Sequence, residues 1–214
     1  MRVVGGAWRG RPLQAPAGRT TRPTSDKVRE AVFDVLGALP EADPPPAGHV
    51  VLDVFAGSGA LGIEALSRGA ATCTFVESAP PALRALRGNL ERLGVPVVRA
   101  AGGDAAQTAA APGPHAVVVG TDVRRALSAD ARRGARYTLV FADPPYDAYE
   151  QVRPALVRLL GRVLVPGAVL VVESAAGTAA GLPWTVVREK RYGDTRVTFL
   201  VNGAGSPAEG DTAD

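Results

Sequence analysis

The chain has 214 residues, a formal net charge of +3 and 46% hydrophobic residues, enough for one domain with a large core. No apolar run nears the ~18 residues of a spanning helix and no secretory apolar region opens the chain. One cysteine, Cys73, and two separated histidines, His49 and His115, leave no disulfide and no Cys- or His-built metal centre. The expectation is a monomeric cytoplasmic protein without a metal or a membrane partner.

The first 22 residues hold Arg2, Arg9, Arg11, Arg19 and Arg22 and no acid, whereas the charges of the last 14 are all acidic. A GC-rich coding bias would raise arginine everywhere, so clustering at one end points to a polyanion partner. Gly5-Gly6 and Trp8-Arg9-Gly10-Arg11 predict an exposed, glycine-turned β-hairpin arm. Arginines interleaved with Trp8 suit nucleic-acid binding, although Trp8 could equally staple the arm to the body. Thr24-Ser25-Asp26 offers helix caps, and Val28, Val32, Val35, Leu36 and Leu39 recur at helical spacing, which predicts a helix over 24–38. The stretch 40–48, with three consecutive prolines, reads as a stiff linker.

From His49 onward strands and helices alternate, the pattern of a mostly parallel sheet. Strands are expected at 50–54, 72–77, 116–119, 137–142 and 168–173, with helices at 60–68, from Leu83 to Leu93, at 123–133 and at 148–162. Residues 95–114 are rich in Ala, Gly and Pro and read largely as an insertion, with a possible short strand at 95–98. Thr185–Lys190 and Arg196–Val201 flank Tyr192-Gly193-Asp194, the pattern of an antiparallel hairpin at a sheet edge. The acidic tail from about 203 is expected to be disordered.

The first strand runs into Asp53-Val54-Phe55-Ala56-Gly57-Ser58-Gly59-Ala60-Leu61-Gly62, and Glu77 lies 20 residues after Gly57. Gly57, Gly59 and Gly62 satisfy the dinucleotide fingerprint, so a nicotinamide or flavin enzyme is a real rival. Asp53 argues against it, because a carboxylate facing a pyrophosphate would repel it. S-adenosylmethionine has no phosphate, and its sulfonium and ammonium favour a nearby acid. A third strand end, Tyr137 to Ala142, delivers Asp143-Pro144-Pro145-Tyr146. Prolines cannot continue the strand, so an acid, backbone carbonyls and an aromatic ring are left at the edge. Those groups suit a planar molecule bearing an NH2, although an ordinary Pro-rich turn would look the same.

As a set, these segments resemble the class I methyltransferases, and more closely the RsmD family of small-subunit (16S) ribosomal RNA guanine-N2 methyltransferases. The resemblance runs from Arg2 to about Val201. It rests on Arg2-Val3-Val4-Gly5-Gly6 with Arg9-Gly10-Arg11, on Arg22-Pro23-Thr24-Ser25-Asp26-Lys27-Val28-Arg29-Glu30, on the glycine segment from Leu52 to Gly69, on Val76-Glu77-Ser78 and on the Asp143 turn. It implies a Rossmann-like fold: a mostly parallel seven-stranded sheet with helices on both faces and a C-terminal antiparallel hairpin. The implied organisation is a basic hairpin arm over 1–22, a helix and linker over 23–48, a cofactor-binding domain over 49–202 and the tail over 203–214.

The same resemblance implies that Asp53, Phe55, Ala56, Gly57, Ser58 and Gly59 hold the methionine part of the cofactor and Glu77 and Ser78 the ribose. It implies that the segment with Thr24 covers the cofactor, and that an acidic or amide position after the third strand meets the adenine. Asp122 stands 21 residues before Asp143, near the family spacing, and Asp104 stands 39 before it. Asp122 with Val123 is therefore preferred, though Asp122 could instead be a helix N-cap. Asp143, Pro144, Pro145 and Tyr146 are the expected catalytic residues, and Arg2, Trp8, Arg9, Arg11, Arg19 and Arg22 the expected RNA contacts. The expected substrate is ribosomal RNA, within an assembling small subunit. Adenine N6, a glutamine amide, or an RNA-binding module without catalysis remain alternatives, since the turn accepts any planar NH2.

Overall fold

The computed structural model describes residues 1–16, 25–39, 47–98, 113–145 and 148–203. The strands are β1 (Val50–Val54), β2 (Thr72–Val76), β3 (Val97–Val98), β4 (His115–Val119), β5 (Tyr137–Ala142), β6 (Leu164–Ala175), β7 (Thr185–Tyr192) and β8 (Thr195–Val201). They form one sheet in the order β3-β4-β2-β1-β5-β6-β8-β7. All neighbours run parallel up to β6; β8 is antiparallel to β6 and to β7. The sheet has eight strands where seven were expected, and the addition is the two-residue edge strand β3, inside the segment read largely as insertion. The strand β6 is longer than expected: it pairs with β5 at Leu164 and, after a register shift across Pro166 and Gly167 (φ 77°), again from Val169.

The helices are α1 (Asp26–Gly37), α2 (Ala60–Ser67), α3 (Pro80–Leu93), α4 (Val123–Arg132) and α5 (Tyr149–Leu160). Strand residues alternate between two apolar layers. Val51, Cys73, Phe75, Phe141 and Phe199 pack with Val32, Phe33 and Leu36 of α1, Ile63 and Leu66 of α2, and Leu86 and Leu90 of α3. On the other face Leu52, Val54, Val76, Val140 and Leu170 pack with Leu127 of α4 and Leu156, Leu159 and Leu160 of α5. Coverage of both faces explains why β1, β2 and β5 read as continuous apolar runs rather than alternating ones.

The N-terminus corrects one expectation. Residues 1–13 form a loop closed by an Arg2↔Pro12 bridge and by Val3 N–H donating to the Arg11 carbonyl at 2.9 Å, with a 3-10 turn at Gly6–Trp8. The loop is not an exposed arm. Val3 and Leu13 are buried in the first apolar layer, and Trp8 packs against it, so the stapling role of Trp8 is the one observed. Backbone groups complete the docking: Val4 N–H donates to Glu64 Oε2 at 2.8 Å, Trp8 N–H to Ser67 Oγ at 2.9 Å and Gln14 N–H to Asn89 Oδ1 at 2.8 Å. Among the arginines stand two apolar residues, Val3 and Leu13, and their burial sets the position of the segment.

Candidate active site

The carboxyl edge of the sheet gathers the acids expected there. In the parallel register Asp53 lies opposite Phe75 on one side and Phe141 on the other. Glu77 and Asp143 each stand two residues further, so they flank Asp53 one pleat above it. Asp53 is buried, and its Oδ2 accepts the Gly62 N–H at 3.0 Å. Burial pushes its pKa up to about 7, the Gly62 hydrogen bond works against that, and the charges of Asp143 and Glu77 add to it. A buried carboxylate with such neighbours is an incentive for a cation to bind beside it.

The glycines of the loop divide into two kinds. A Cβ on Gly62 would collide with the Phe75 ring and meet Cys73 Sγ at 2.5 Å, and one on Gly59 (φ 82°) would collide with Leu86 Cδ1. Both are therefore required by helix packing. Gly57 (φ 56°) would place a Cβ against nothing nearer than the Phe55 carbonyl at 4.0 Å, so its bare Cα is the one open to a ligand. Phe55 is the only described non-glycine residue with positive φ, at 66°. A left-handed residue with a side chain costs on the order of 1 kcal/mol or more, and such strain concentrates at functional sites.

Phe55 lines a cleft of about 240 Å³ together with Val76, Glu77, Ser78, Thr121, Asp122 and Val123. A second depression lies at the amino ends of β1, β2 and β5, around Thr72, Arg133 and Tyr137, far from these acids. The chemistry favours the first, which has apolar walls and two carboxylates. Glu77 Oε1 accepts N–H bonds from Ser78 at 2.8 Å and Ala79 at 2.7 Å, and Oε2 accepts from Gly57 at 2.9 Å. That carboxylate thus holds the glycine loop and the turn after β2 while Oε2 keeps a second lone pair. Asp122 is the N-cap of α4, its Oδ1 accepting Arg124 N–H at 2.8 Å, and the residue also lines the cleft. Asp143 is half-buried and Pro144 buried, while the Pro145 carbonyl already accepts Ala148 N–H at 2.9 Å.

The family model described as Conserved hypothetical protein 95 matches residues 1–201. Ribosomal RNA small subunit methyltransferase D of Escherichia coli is 33% identical over 218 residues, 99% of this chain and 94% of that one. The chain belongs to the RsmD family of methyltransferases. Another relative in Bacillus subtilis, YlbH, named provisionally as an rRNA methyltransferase, is 41% identical over 75% of this chain and 73% of its own. A solved Escherichia coli structure, yhhF, described provisionally as a methyltransferase, superposes with a TM-score of 0.74 at 33% identity, covering 96% of this chain and 99% of that one. S-adenosylmethionine is the methyl donor of the RsmD family.

In this RsmD-family chain the structure brings together Asp53, Phe55, Ala56, Gly57, Ser58, Gly59, Glu77, Ser78, Asp122, Val123, Asp143, Pro144 and Pro145 at one edge. Thr24, Arg19, Arg22, Asp104 and Tyr146 lie outside the described residues. Among the expected RNA contacts, Arg2 is exposed but pairs with Asp26 at 3.5 Å, and Arg11 donates to the Arg92 carbonyl at 2.9 Å. Sequence reasoning missed Thr121 in the cleft and missed Asn89. Asn89 is fully buried and ties Gln14 of the N-terminal loop to the Ser58 carbonyl of the glycine loop, donating to them at 3.0 and 2.9 Å. Its polar side chain on the apolar face of α3, one residue before Leu90, was the available signal.

Proposed function

We propose that this protein methylates the exocyclic N2 amine of a guanine in small-subunit ribosomal RNA. One observation carries the reading: the Asp143-Pro144 acceptor turn stands beside the buried, cation-seeking Asp53 at the edge where Glu77 and Asp122 frame an apolar cleft. Relatives named as rRNA methyltransferases support the substrate class. The residues fit S-adenosylmethionine, since the acids that welcome its cationic groups would repel a pyrophosphate. Asp53 would face the ammonium and sulfonium, the open Gly57 backbone the methionine part, Glu77 Oε2 the ribose hydroxyls, and Asp122 the adenine amine, with Phe55 and Val123 against the ring. When bound, this cofactor supplies an electrophilic methyl group on sulfur.

The protein's own work is positioning. A guanine amine is a weak nucleophile because its lone pair is delocalised into the ring. The Asp143 carboxylate and the Pro144 carbonyl accept its two N–H groups, which draws the nitrogen towards tetrahedral geometry and localises the pair. Tyr146 stacks on the base, which must leave its RNA stack to reach the turn. The proton shed after transfer passes to Asp143 or to water. The enzyme acts as a cytoplasmic monomer on an assembling subunit.

Transfer of labelled methyl from S-adenosylmethionine to small-subunit rRNA or particles, followed by nucleoside analysis, tests this. N2-methylguanosine is expected. N6-methyladenosine, or label only in protein, would refute the assignment.

A further inference from the structure

The N-terminal loop was expected to carry the RNA, yet Arg2 and Arg11 are already engaged by the protein, and the loop's backbone is spent on docking. The described surface has another run of cations. Strand β7 ends the sheet, pairs only with β8, and exposes Arg188, Glu189, Lys190 and Arg191. Glu189 pairs with Arg196 at 3.5 Å. Among the described residues, Arg188, Lys190 and Arg191 have no acid within ion-pair distance.

Register relates this strand to the acceptor turn. Ala142 lies opposite Val172, Val172 opposite Thr198, and Thr198 opposite Glu189. One residue on, Asp143 is level with Glu173, which pairs with Val197, and Val197 pairs with Lys190. Lys190 therefore stands on the same level of the sheet as Asp143, three strand spacings away, or about 14 Å. Arg188 faces Phe199 and Lys190 faces Val197, so both cations rise from the face covered by α1, and Arg191 lies on the other. The β7–β8 turn at Gly193 projects past the end of β6 on this same edge, as Thr195 pairs with Ala175, the last residue of β6.

Building on the RNA reading above, we infer that β7 is a phosphate-binding rail, on which Arg188, Lys190 and Arg191 hold the backbone of the RNA whose base enters the Asp143 turn. Charges on an edge strand also discourage edge-to-edge pairing. That role needs neither a single unpaired sign nor a position level with the acceptor, and both are present. With Arg188 and Lys190 on one face of the strand and Arg191 on the other, the three can straddle a sugar-phosphate backbone laid along the edge. Their contribution is sequence-independent: they set where the RNA lies, and the turn selects the base.

The test is the salt dependence of RNA binding by the full chain and by the variant Arg188→Gln/Lys190→Gln/Arg191→Gln, in which the polar side chains remain and the charges go. Each lost phosphate contact lowers the slope of log K against log salt by about 0.7–0.9, so the slope should fall by about 2. The RNA KM should rise about tenfold or more at moderate salt, with affinity for S-adenosylhomocysteine unchanged. Arg188→Lys/Arg191→Lys should restore the slope. An unaltered slope in a variant that stays folded by thermal melting would overturn the rail, and self-association alongside it would assign these charges to edge protection. A wild-type chain that neither binds nor methylates small-subunit rRNA would instead refute the RNA reading itself, and the rail with it.

Discussion

Replacing Asp53 by Asn should raise stability and lower cofactor affinity, two effects of opposite sign from one atom exchange. In the folded protein the Asp53 carboxyl is pushed up to about 7 from 3.8, first by burial and then by the charges of Asp143 and Glu77, against the Gly62 hydrogen bond. Between about pH 4 and 7 the folded chain keeps a proton on this group that the unfolded chain has released, so its contribution is whole below pH 4 and is lost as pH rises to 7. About three pKa steps at 1.36 kcal/mol each put that loss on the order of 4 kcal/mol at pH 7. Asn keeps an acceptor oxygen for Gly62 but brings an NH2 that needs partners, so a gain of about 1–3 kcal/mol is expected, or about 2–12 °C in Tm for a chain of this size. The cationic cofactor loses a charged partner, worth about 1.5–3 kcal/mol, or roughly 10- to 100-fold in Kd. Thermal melts from pH 4 to 8 and calorimetry with S-adenosylmethionine measure both. Wild type should lose stability relative to Asp53→Asn as pH rises, and should release a proton on cofactor binding near pH 6.5. An Asn variant that melts below wild type at pH 7, or binds the cofactor as tightly, would refute the reasoning.

Asn89→Ala removes hydrogen bonds to Gln14 N–H, the Gln14 carbonyl and the Ser58 carbonyl; a loss of about 3 kcal/mol and about 6–12 °C in Tm is expected, and a melt within 2 °C of wild type would contradict it. Deleting residues 1–14 uncovers the layer that holds Val3 and Leu13 and strips partners from buried Glu64 and Asn89, so cofactor affinity and stability should fall together; calorimetry showing an intact S-adenosylhomocysteine site would restore the loop to a dispensable arm. Asp143→Ala should abolish most methyl transfer with cofactor affinity nearly intact, and Asp143→Asn should keep partial activity because one acceptor oxygen survives; single-turnover transfer at the wild-type rate in the Ala variant would move the active site elsewhere. Tyr146→Phe should be mild and Tyr146→Ala should cost about 1–3 kcal/mol of base stacking in RNA KM, which steady-state kinetics would read.

Local sequence was sufficient for most of the frame. The run Tyr137–Ala142 is a strand over the residues expected, because six strand formers ending at Asp143-Pro144-Pro145 leave the backbone no other regular path. Glu77 was legible for a similar reason, since an acid directly after an apolar strand reaches the carboxyl edge of an open sheet, whereas Asp122, three residues past β4, was preferred chiefly by its spacing from Asp143 in the family it resembles. Tertiary structure alone decided the three properties that depend on partners distant in sequence. The N-terminal loop is docked rather than exposed, because Val3 and Leu13 find a layer built from α1, α2 and α3. Gly59 and Gly62 serve packing and only Gly57 faces open space, which depends on Leu86, Phe75 and Cys73 being behind them. The raised pKa of Asp53 arises first because the assembled sheet and helices bury it away from water, and then because two other strand ends bring the charges of Asp143 and Glu77 near it. Local pattern reaches as far as one strand or helix, whereas burial and charge coupling arise only when separate segments meet.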